Sequence, residues 1–517
     1  MSGKVWLLGF CVFLLAAAPA LAELQQVEVG GSVRIRGDYI NNEFVSPLGS
    51  VEVRWGRPFV AGRPIGGPFN PDVASIYDWD NRGNDLAIVE QRTRLHLKAD
   101  FTDDVSSFIE FDSYDYWGED FRSNYVTGVD SRANSFDDVE VFQAYIDAKN
   151  VFDTPIELRV GRQELNYGSG WLVGPRDNAF LFYGLSFDAL RLRYAVDTFA
   201  VDAFWAKVAE RFSDFGDDDI DFYGVYGSYT GLEQWTFDAY WFLLRDDTPI
   251  TTFLGGMPNP PGAVRDAGGY DETHLHTLGL RAAGLVSAFD IDAEVAYQFG
   301  DADHIGSTFR PYGIGDDNAE FDSFALKLDA GYTFDVKYRP RLFVGFRYYD
   351  GEDNRDISRR DFFRRRSPQA SISFNRLFSN DIATGFIDSN NDLSNAWYGR
   401  LGVMGHPTDK TWLMLAATYY ETVDPFDRPN NRNIFGRLVP GRPYVTTTND
   451  TELGWELTLF GTYQYSEDLI FEAGWTHLFV GDGLRQGHFS SWNGMVFNGG
   501  SDDDGADYAY LGCKIFF

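Results

Sequence analysis

The sequence predicts an all-β fold: a transmembrane antiparallel β-barrel of about 18 strands, with short periplasmic turns and long extracellular loops. Three observations predict it. About 18 segments alternate apolar and polar residues with period two, the spacing that sends side chains to opposite faces of a strand. The connections between these segments alternate long and short from the first to the last, which a soluble β-sandwich or propeller has no reason to maintain. The final segment is amphipathic, with Ala509, Leu511, Cys513, Ile515 and the terminal Phe517 on one face, and a terminal Phe on such a strand resembles an outer-membrane assembly signal.

Composition agrees. Aromatic residues make up 17% of the chain and glycine contributes 53 residues, a mix that suits many twisted strands joined by glycine-containing turns. Mean hydropathy is below zero, and no segment after the N-terminal run approaches the roughly 18 apolar residues of a membrane-crossing helix. A helical membrane protein is therefore excluded, whereas barrel strands place only half their residues on lipid. Lys4, the apolar run Val5–Ala18 and Ala20-Leu21-Ala22 read as a secretory signal over 1–22, leaving 23–517 as one barrel domain. Cys11 falls inside that signal, so Cys513 alone remains and no internal disulfide is expected. The net charge of −33 argues against nucleic acid as a partner. Runs such as Asp217–Asp219 and Asp502–Asp504 read as solvated loop charge facing lipopolysaccharide, because spaced oxygen ligands around a shaped loop are missing.

In chain order, Val27–Ile40 sets Val33, Ile35 and Tyr39 against Arg34, Arg36 and Asp38. After a Pro/Gly-rich stretch, Leu86–Asp100 sets Val89, Leu95 and Leu97 against Glu90, Arg92, Arg94, His96 and Lys98. A short turn gives Val105–Asp115, with Ile109 and Phe111 opposite Glu110 and Asp112. Val139–Lys149 and Ile156–Glu164 follow, then a Gly- and aromatic-rich excursion, then the pair Phe187–Val196 and Phe199–Ala209. The same long-short rhythm continues through Ile220–Tyr229, Trp235–Arg245, Thr273–Val286, Phe289–Phe299, Phe321–Phe334 and Arg341–Asp350. The longest excursion, Gly351–Asn395, precedes Ala396–Gly405, Thr411–Thr422, Glu452–Tyr465, Leu469–Val480 and Ala506–Phe517. An even count puts both termini on the periplasmic side, and a barrel this size leaves a water-filled lumen. Trp117, Trp171, Trp241, Trp397, Trp475 and Tyr419 fit the aromatic girdles of the two interfaces.

No HExxH or G-x-S-x-G pattern is present, and no Ser/His/Asp arrangement supports catalysis. His274 and His276 share a strand face without a carboxylate or Cys at ligand spacing, which favours interface histidines over a metal pair. If the apolar faces meet lipid, guanidinium groups crowd the lumen: Arg34, Arg36, Arg92, Arg94, Arg159, Arg191 and Arg193, then Arg281, Arg347 and Arg400, with Lys98 and Lys327. Inward carboxylates are Asp112, Asp147, Asp292, Glu294, Glu452 and Glu456. Charged side chains lining a narrow pore set its ion preference. The planar fork of Arg accepts a uronate or phosphate in bidentate fashion, although lumen charges can also simply pair and fill space.

GRQELNYG at Gly161–Gly168, the LVGP after it, SFDALRLRY at Ser186–Tyr194, and FNRLF at Phe374–Phe378 followed by Asn391-Asp392-Leu393 resemble the signature of the alginate-export outer-membrane porin family. The resemblance implies a monomeric 18-stranded barrel whose electropositive constriction passes a polyanionic uronate polymer outward. It also implies that Arg162, Arg191 and Arg193 line the conduit. Alternation instead puts Arg162 on the Val160 face, so either Gly161 marks a bulge or one assignment fails.

The reading that follows is a passive channel in the outer membrane of a Gram-negative-type bacterium, without enzymatic activity, metal or cofactor. Its solute is an anionic, uronate-type polysaccharide; the alternative is a general uptake porin for small anionic solutes or oligosaccharides. Outer-membrane lipid, lipopolysaccharide and periplasmic secretion components are the expected partners. Loop Gly351–Asn395, with Arg359, Arg360, Arg364, Arg365 and Arg366, is expected either to fold into the mouth as a gate or capture site or to remain a solvated loop.

Overall fold

The computed structural model describes residues 24–41, 75–78, 85–118, 139–178, 184–210, 212–213, 216–217, 219–246, 273–301, 320–351, 360, 371–382, 387, 393–424, 427–429, 432–434, 437–439, 446–448, 450–483, 487–491, 495–498 and 505–517. The proposed signal, the acidic run 502–504, Asn391 and Asp392, and Arg359, Arg364, Arg365 and Arg366 lie outside the described residues.

Eighteen long strands form the wall. They are β1 (Gln26–Asn41), β2 (Leu86–Thr102), β3 (Val105–Tyr116), β4 (Glu140–Ala148), β5 (Ile156–Gln163) and β6 (Phe187–Val196). Next come β7 (Phe199–Ala209), β8 (Ile220–Tyr229), β9 (Trp235–Asp246), β10 (Thr273–Val286), β11 (Phe289–Asp301) and β12 (Glu320–Thr333). The last six are β13 (Arg341–Tyr349), β14 (Ala396–Thr408), β15 (Thr411–Thr422), β16 (Glu452–Gln464), β17 (Leu469–Val480) and β18 (Ala506–Phe516). Each pairs antiparallel with its sequence neighbours, and β1 closes on β18 in a register running from Ser32–Phe516 to Asn41–Asp507. The sheet therefore has no free edge, as a span through hydrocarbon requires. A two-residue strand, Ser371–Ile372, lies parallel to the start of β12.

The strand pattern follows the alternation in the sequence. Along β1, Arg34, Arg36 and Asp38 are buried while Tyr39 is exposed. Along β2 and β3, Glu90, Arg92, Glu110 and Asp112 are buried and Leu95, Leu97, Ile109 and Phe111 are exposed. The same outward apolar set recurs at Leu278, Leu280, Leu401, Leu413, Leu459 and Leu511. A continuous apolar exterior of this extent is a lipid-facing band. Connections are short at one end (103–104, 197–198, 287–288 and 409–410 among them) and long at the other. Both ends of the wall, Gln26 and Phe516, sit at the short-turn end.

Two local departures from simple alternation position the lumen. The register of β3 against β4 shifts between Glu110 and Phe111, which leaves Phe142 as an extra residue in a bulge. Both Phe142 and Gln143 then point inward and are buried. Gly161 has φ +128°, and a Cβ there would run into the Ala144 carbonyl of β4. The strand keeps its register on both sides, with Val160 opposite Leu190 and Arg162 opposite Asp188. Gly161 is thus a close-approach position rather than a bulge, and Arg162 stays outward. Near the top of β16 the register breaks at Gly454, so that Glu452 opposes Glu421 on the outward side rather than entering the lumen as the alternation suggested.

The lipid-facing assignment has a direct consequence. Leu280 is 61% exposed near the middle of β10, so Leu280→Arg is expected to destabilise the barrel by about 2–4 kcal/mol, the cost of a cation near the bilayer midplane. The measurement is the denaturant midpoint for folding into lipid vesicles.

Candidate functional site

The lumen is narrowed by the chain itself. The connection after β5 turns inward and buries Leu165, Tyr167, Trp171, Leu172 and Val173. The segment before β14 does the same with Phe374, Leu377 and Phe378. The two loops are knitted together. The Phe378 N–H donates to the Leu172 carbonyl (2.9 Å), the Gly174 N–H to the Phe378 carbonyl (3.0 Å) and the Asn380 N–H to the Gly170 carbonyl (2.8 Å). They pack on the inner wall through Phe187, Phe204, Phe222, Phe242 and Tyr349. Trp171 Nε1 donates to the Tyr349 hydroxyl at 2.9 Å, and its ring stacks on Phe374. Trp171, expected in an interface girdle, is therefore fully enclosed in the lumen, because its loop folds in rather than out. Gln298 on β11 anchors the second loop by donating to the Asn375 carbonyl (2.7 Å) and accepting from the Asn375 N–H (2.8 Å).

Among the described residues of the longest excursion, the segment 371–382 enters the barrel. Arg347 clamps it with two forks, one to Asp329 (2.9 and 2.8 Å) and one to Asp381 (2.6 and 3.0 Å). Burial opposes ionisation of Asp381, but the Arg347 guanidinium wins and holds its carboxyl well below the usual carboxylate range. Glu456 fixes the same loop further along by accepting from the Ile387 N–H at 2.6 Å.

The inward arginines are in place, and nearly all meet carboxylates. Arg34 bonds Glu472 at 2.9 Å, Arg36 lies between Asp38 and Glu90, and Arg92 forks onto Asp112. Arg159 pairs with Asp147 at 2.6 Å, and Arg191 and Arg193 share Asp202 at 2.6 and 3.6 Å. Glu294 accepts from the Tyr240 hydroxyl and lies near Arg281. Arg400 differs: it lies over the Phe343 ring, donates to Met414 Sδ at 3.4 Å, and has no carboxylate partner among the described residues. Arg94 is held less completely than its neighbours. Its Nη1 donates to Asp177 at 3.1 Å, while Nε and Nη2 have no hydrogen-bond partner among the described residues, and its guanidinium sits 4.3 Å above the Phe142 ring.

Arg162 is the clear misplacement. It forks onto Asp188 (2.8 and 3.0 Å) on the outward face near the long-loop end. From there a ladder of opposed charges crosses β5 to β9 at one level, Arg162, Asp188, Lys207, Asp221 and Arg245, and ends at His274 on β10. His276, two residues below, stacks between Trp241 and Phe299, an interface setting.

The lower lumen opens into a cavity of about 280 Å³, lined by Lys98, Lys149, Arg159, Arg191 and Arg193 together with Asp100, Asp147 and Glu157. Basic side chains then climb the wall along β2 and β1, through Lys98, Arg94 and Arg92 beside Arg34 and Arg36. Sequence reasoning missed several members of this site, among them Glu472, Asp202, Phe142 and Asp177. For the last two the reason is local. The first is inward only because of the bulge, and the second reaches the lumen only because its loop turns back into the barrel.

A closed eighteen-stranded barrel with a lipid-facing exterior, a charged lumen and loops folded into it is an outer-membrane channel. This chain belongs to the alginate export family, which matches residues 79–497 and takes in both signature segments. No curated protein matches it in sequence. Among solved structures, OccK11 (OpdR) of Pseudomonas aeruginosa is similar at 10% identity, over 95% of this chain and 96% of that chain, with TM-score 0.48. OpdQ of the same organism shows 11% identity over 95% and 98%, with TM-score 0.47. OmpT, an outer membrane protein of Vibrio cholerae, shows 9% over 95% and 97%, with TM-score 0.37. Likenesses this distant bear on neither solute nor direction.

Two outcomes follow. Trp171→Ala removes a fully buried indole and its bond to Tyr349, a loss of about 3–5 kcal/mol in local packing. The barrel should remain folded, with faster hydrogen exchange over 165–178 and a larger single-channel conductance. Glu164 begins the first inward loop, and burial, offset in part by Arg94 and reinforced by Glu110 and Asp177, pushes its carboxyl up to about 7. It is neutral below that pH and adds negative charge above it. Anion preference is therefore expected to weaken as pH rises through 7, and Glu164→Gln should hold it at the low-pH level, as read from reversal potentials.

Proposed function

We propose that the channel passes an anionic, uronate-type polysaccharide by passive diffusion, with the arginine-lined wall as its guide. The observation that carries this reading is the run of basic side chains from the cavity at the short-turn mouth up β2 and β1. Arg193, Arg191, Arg159, Lys98, Arg94, Arg92 and Arg34 offer successive steps at several heights along the barrel. A carboxylate on each repeat of a polymer can move from one fork to the next. The carboxylates that hold those forks keep each contact weak, and conduction needs binding that releases as readily as it forms. Arg400, without a carboxylate partner among the described residues, gives a further anion contact on β14. Membership of the alginate export family supports an acidic polymer as the solute class. On this reading the protein works as a monomer without cofactor and catalyses no reaction, and periplasmic secretion components would hand it the polymer.

The test is the reversal potential of the purified protein in a planar bilayer under a salt gradient, with and without alginate. Anion selectivity with block by alginate, but not by neutral dextran, is the expected result. Arg191→Glu with Arg193→Glu should reduce the anion preference and weaken the block. Cation selectivity without block would replace this reading with a general porin for small solutes.

A further inference from the structure

The first inward loop brings a carboxylate into the densest part of the arginine wall. Asp177 lies 3.1 Å from Arg94 Nη1, 3.6 Å from Arg92 Nη1 and 3.9 Å from Arg34 Nη1. The next residue joins in, since Arg34 Nη1 donates to the Asn178 carbonyl at 3.1 Å. Three guanidinium groups from two adjacent strands thus converge on Asp177 and Asn178. This stretch is held from behind by the other loop, with Arg176 Nε donating to the Ser379 carbonyl and Asn178 Nδ2 to the Asn380 carbonyl. Asp177 keeps about a quarter of its side-chain surface in the lumen, 23%, whereas Arg92 and Arg34 beneath it keep 4% and 6%. Arg94 keeps 14%, so Asp177 is the most exposed of the four groups.

We propose that Asp177 is a built-in competitor for the Arg34, Arg92 and Arg94 site, and that it selects polyvalent carboxylate chains over single carboxylates. The inference rests on the acidic-polymer reading above. Its physics is that of a tethered ligand. A carboxylate fixed on a loop beside its own site acts at an effective concentration of roughly millimolar or more. A free monovalent carboxylate at lower concentration cannot displace it. A polyuronate can, because neighbouring carboxylates already engaged at Arg159, Arg191 and Arg193 tether the next one in the same way. Displacement is an exchange of one carboxylate for another on the same guanidinium groups, so it leaves no cation exposed during transfer. Glu110, Asp112, Glu164 and Glu472 also face this cluster. Asp112 and Glu472 are bound to Arg92 and Arg34 by fixed strand-to-strand bonds, and Glu110 accepts from Gln143. Asp177 and Glu164 are carried by the inward loop; Glu164 meets Arg94 at 3.7 Å, whereas Asp177 lies within 4 Å of all three arginines.

The experiment compares channel block by polygalacturonate and by monomeric galacturonate, at equal concentrations of uronate, in wild type, Asp177→Asn and Asp177→Glu. Wild type should favour the polymer by on the order of a hundredfold or more, as expected when successive contacts are linked. Asp177→Asn should tighten block by the monomer and collapse that ratio; Asp177→Glu, which restores the carboxylate, should keep it. An unchanged ratio in a folded Asp177→Asn barrel overturns the proposal. Folding is read from heat-modifiable migration and β-sheet circular dichroism, and Asp177→Ser is read in the same way if the Asn variant does not insert. Absence of polymer block in the wild type would count against the acidic-polymer reading. A gain of monomer block in Asp177→Asn would still establish the competitor, so the two failures are separable.

Discussion

Closure of the backbone ladder is the constraint on which everything else rests. Inside hydrocarbon no water is available for an unpaired N–H or C=O, so each strand must find two neighbours and the last must find the first. The β1–β18 pairing meets that demand and divides the side chains into two populations by parity alone. One population faces lipid and must be apolar. The other faces inward and is free to carry charge. The inward charges in turn must be compensated, because a guanidinium taken from bulk water without a partner is costly. The result is a lumen in which the chemistry of the wall is a lattice of pairs, Arg36 with Asp38 and Glu90, Arg92 with Asp112, Arg159 with Asp147.

The two inward loops extend the same logic to the interior. A barrel of this circumference would be wide and wet. Instead, aromatic side chains of the loops settle on a patch of inner wall that is itself aromatic, from Phe187 through Phe242. The buried face gives the loops a reason to stay, and Gln298, Arg347 and Glu456 give them an address. Because the loops bond to each other at Leu172, Gly174 and Phe378, they form one insert.

The barrel was legible in the sequence because period-two patterning and loop-length alternation are both local signals. Arg34, Arg36, Arg92, Arg94, Arg191 and Arg193 follow from parity and are inward. Parity also placed Arg162 outward, and the family-based expectation for that one residue fails against the unbroken register at Gly161. The site was less legible. Phe142 is inward through a bulge with no mark in the sequence that parity can read. Trp171 and Asp177 depend on a loop turning back into the lumen, and that choice is made by tertiary contacts with Phe374 and Ser379 far along the chain. The pairing of almost every lumen arginine was likewise open, because a list of inward charges does not say which ones touch.

The charge ladder on the outside of β5 to β10 bears on how the barrel sits rather than on what it passes. Arg162, Asp188, Lys207, Asp221 and Arg245 cannot sink into acyl chains without losing both water and headgroup contacts, so they hold that flank at a fixed height. With His274 at its end, the ladder spans six of the eighteen strands. The cylinder is therefore moored along one third of its circumference, and any rocking in the bilayer would hinge about that side.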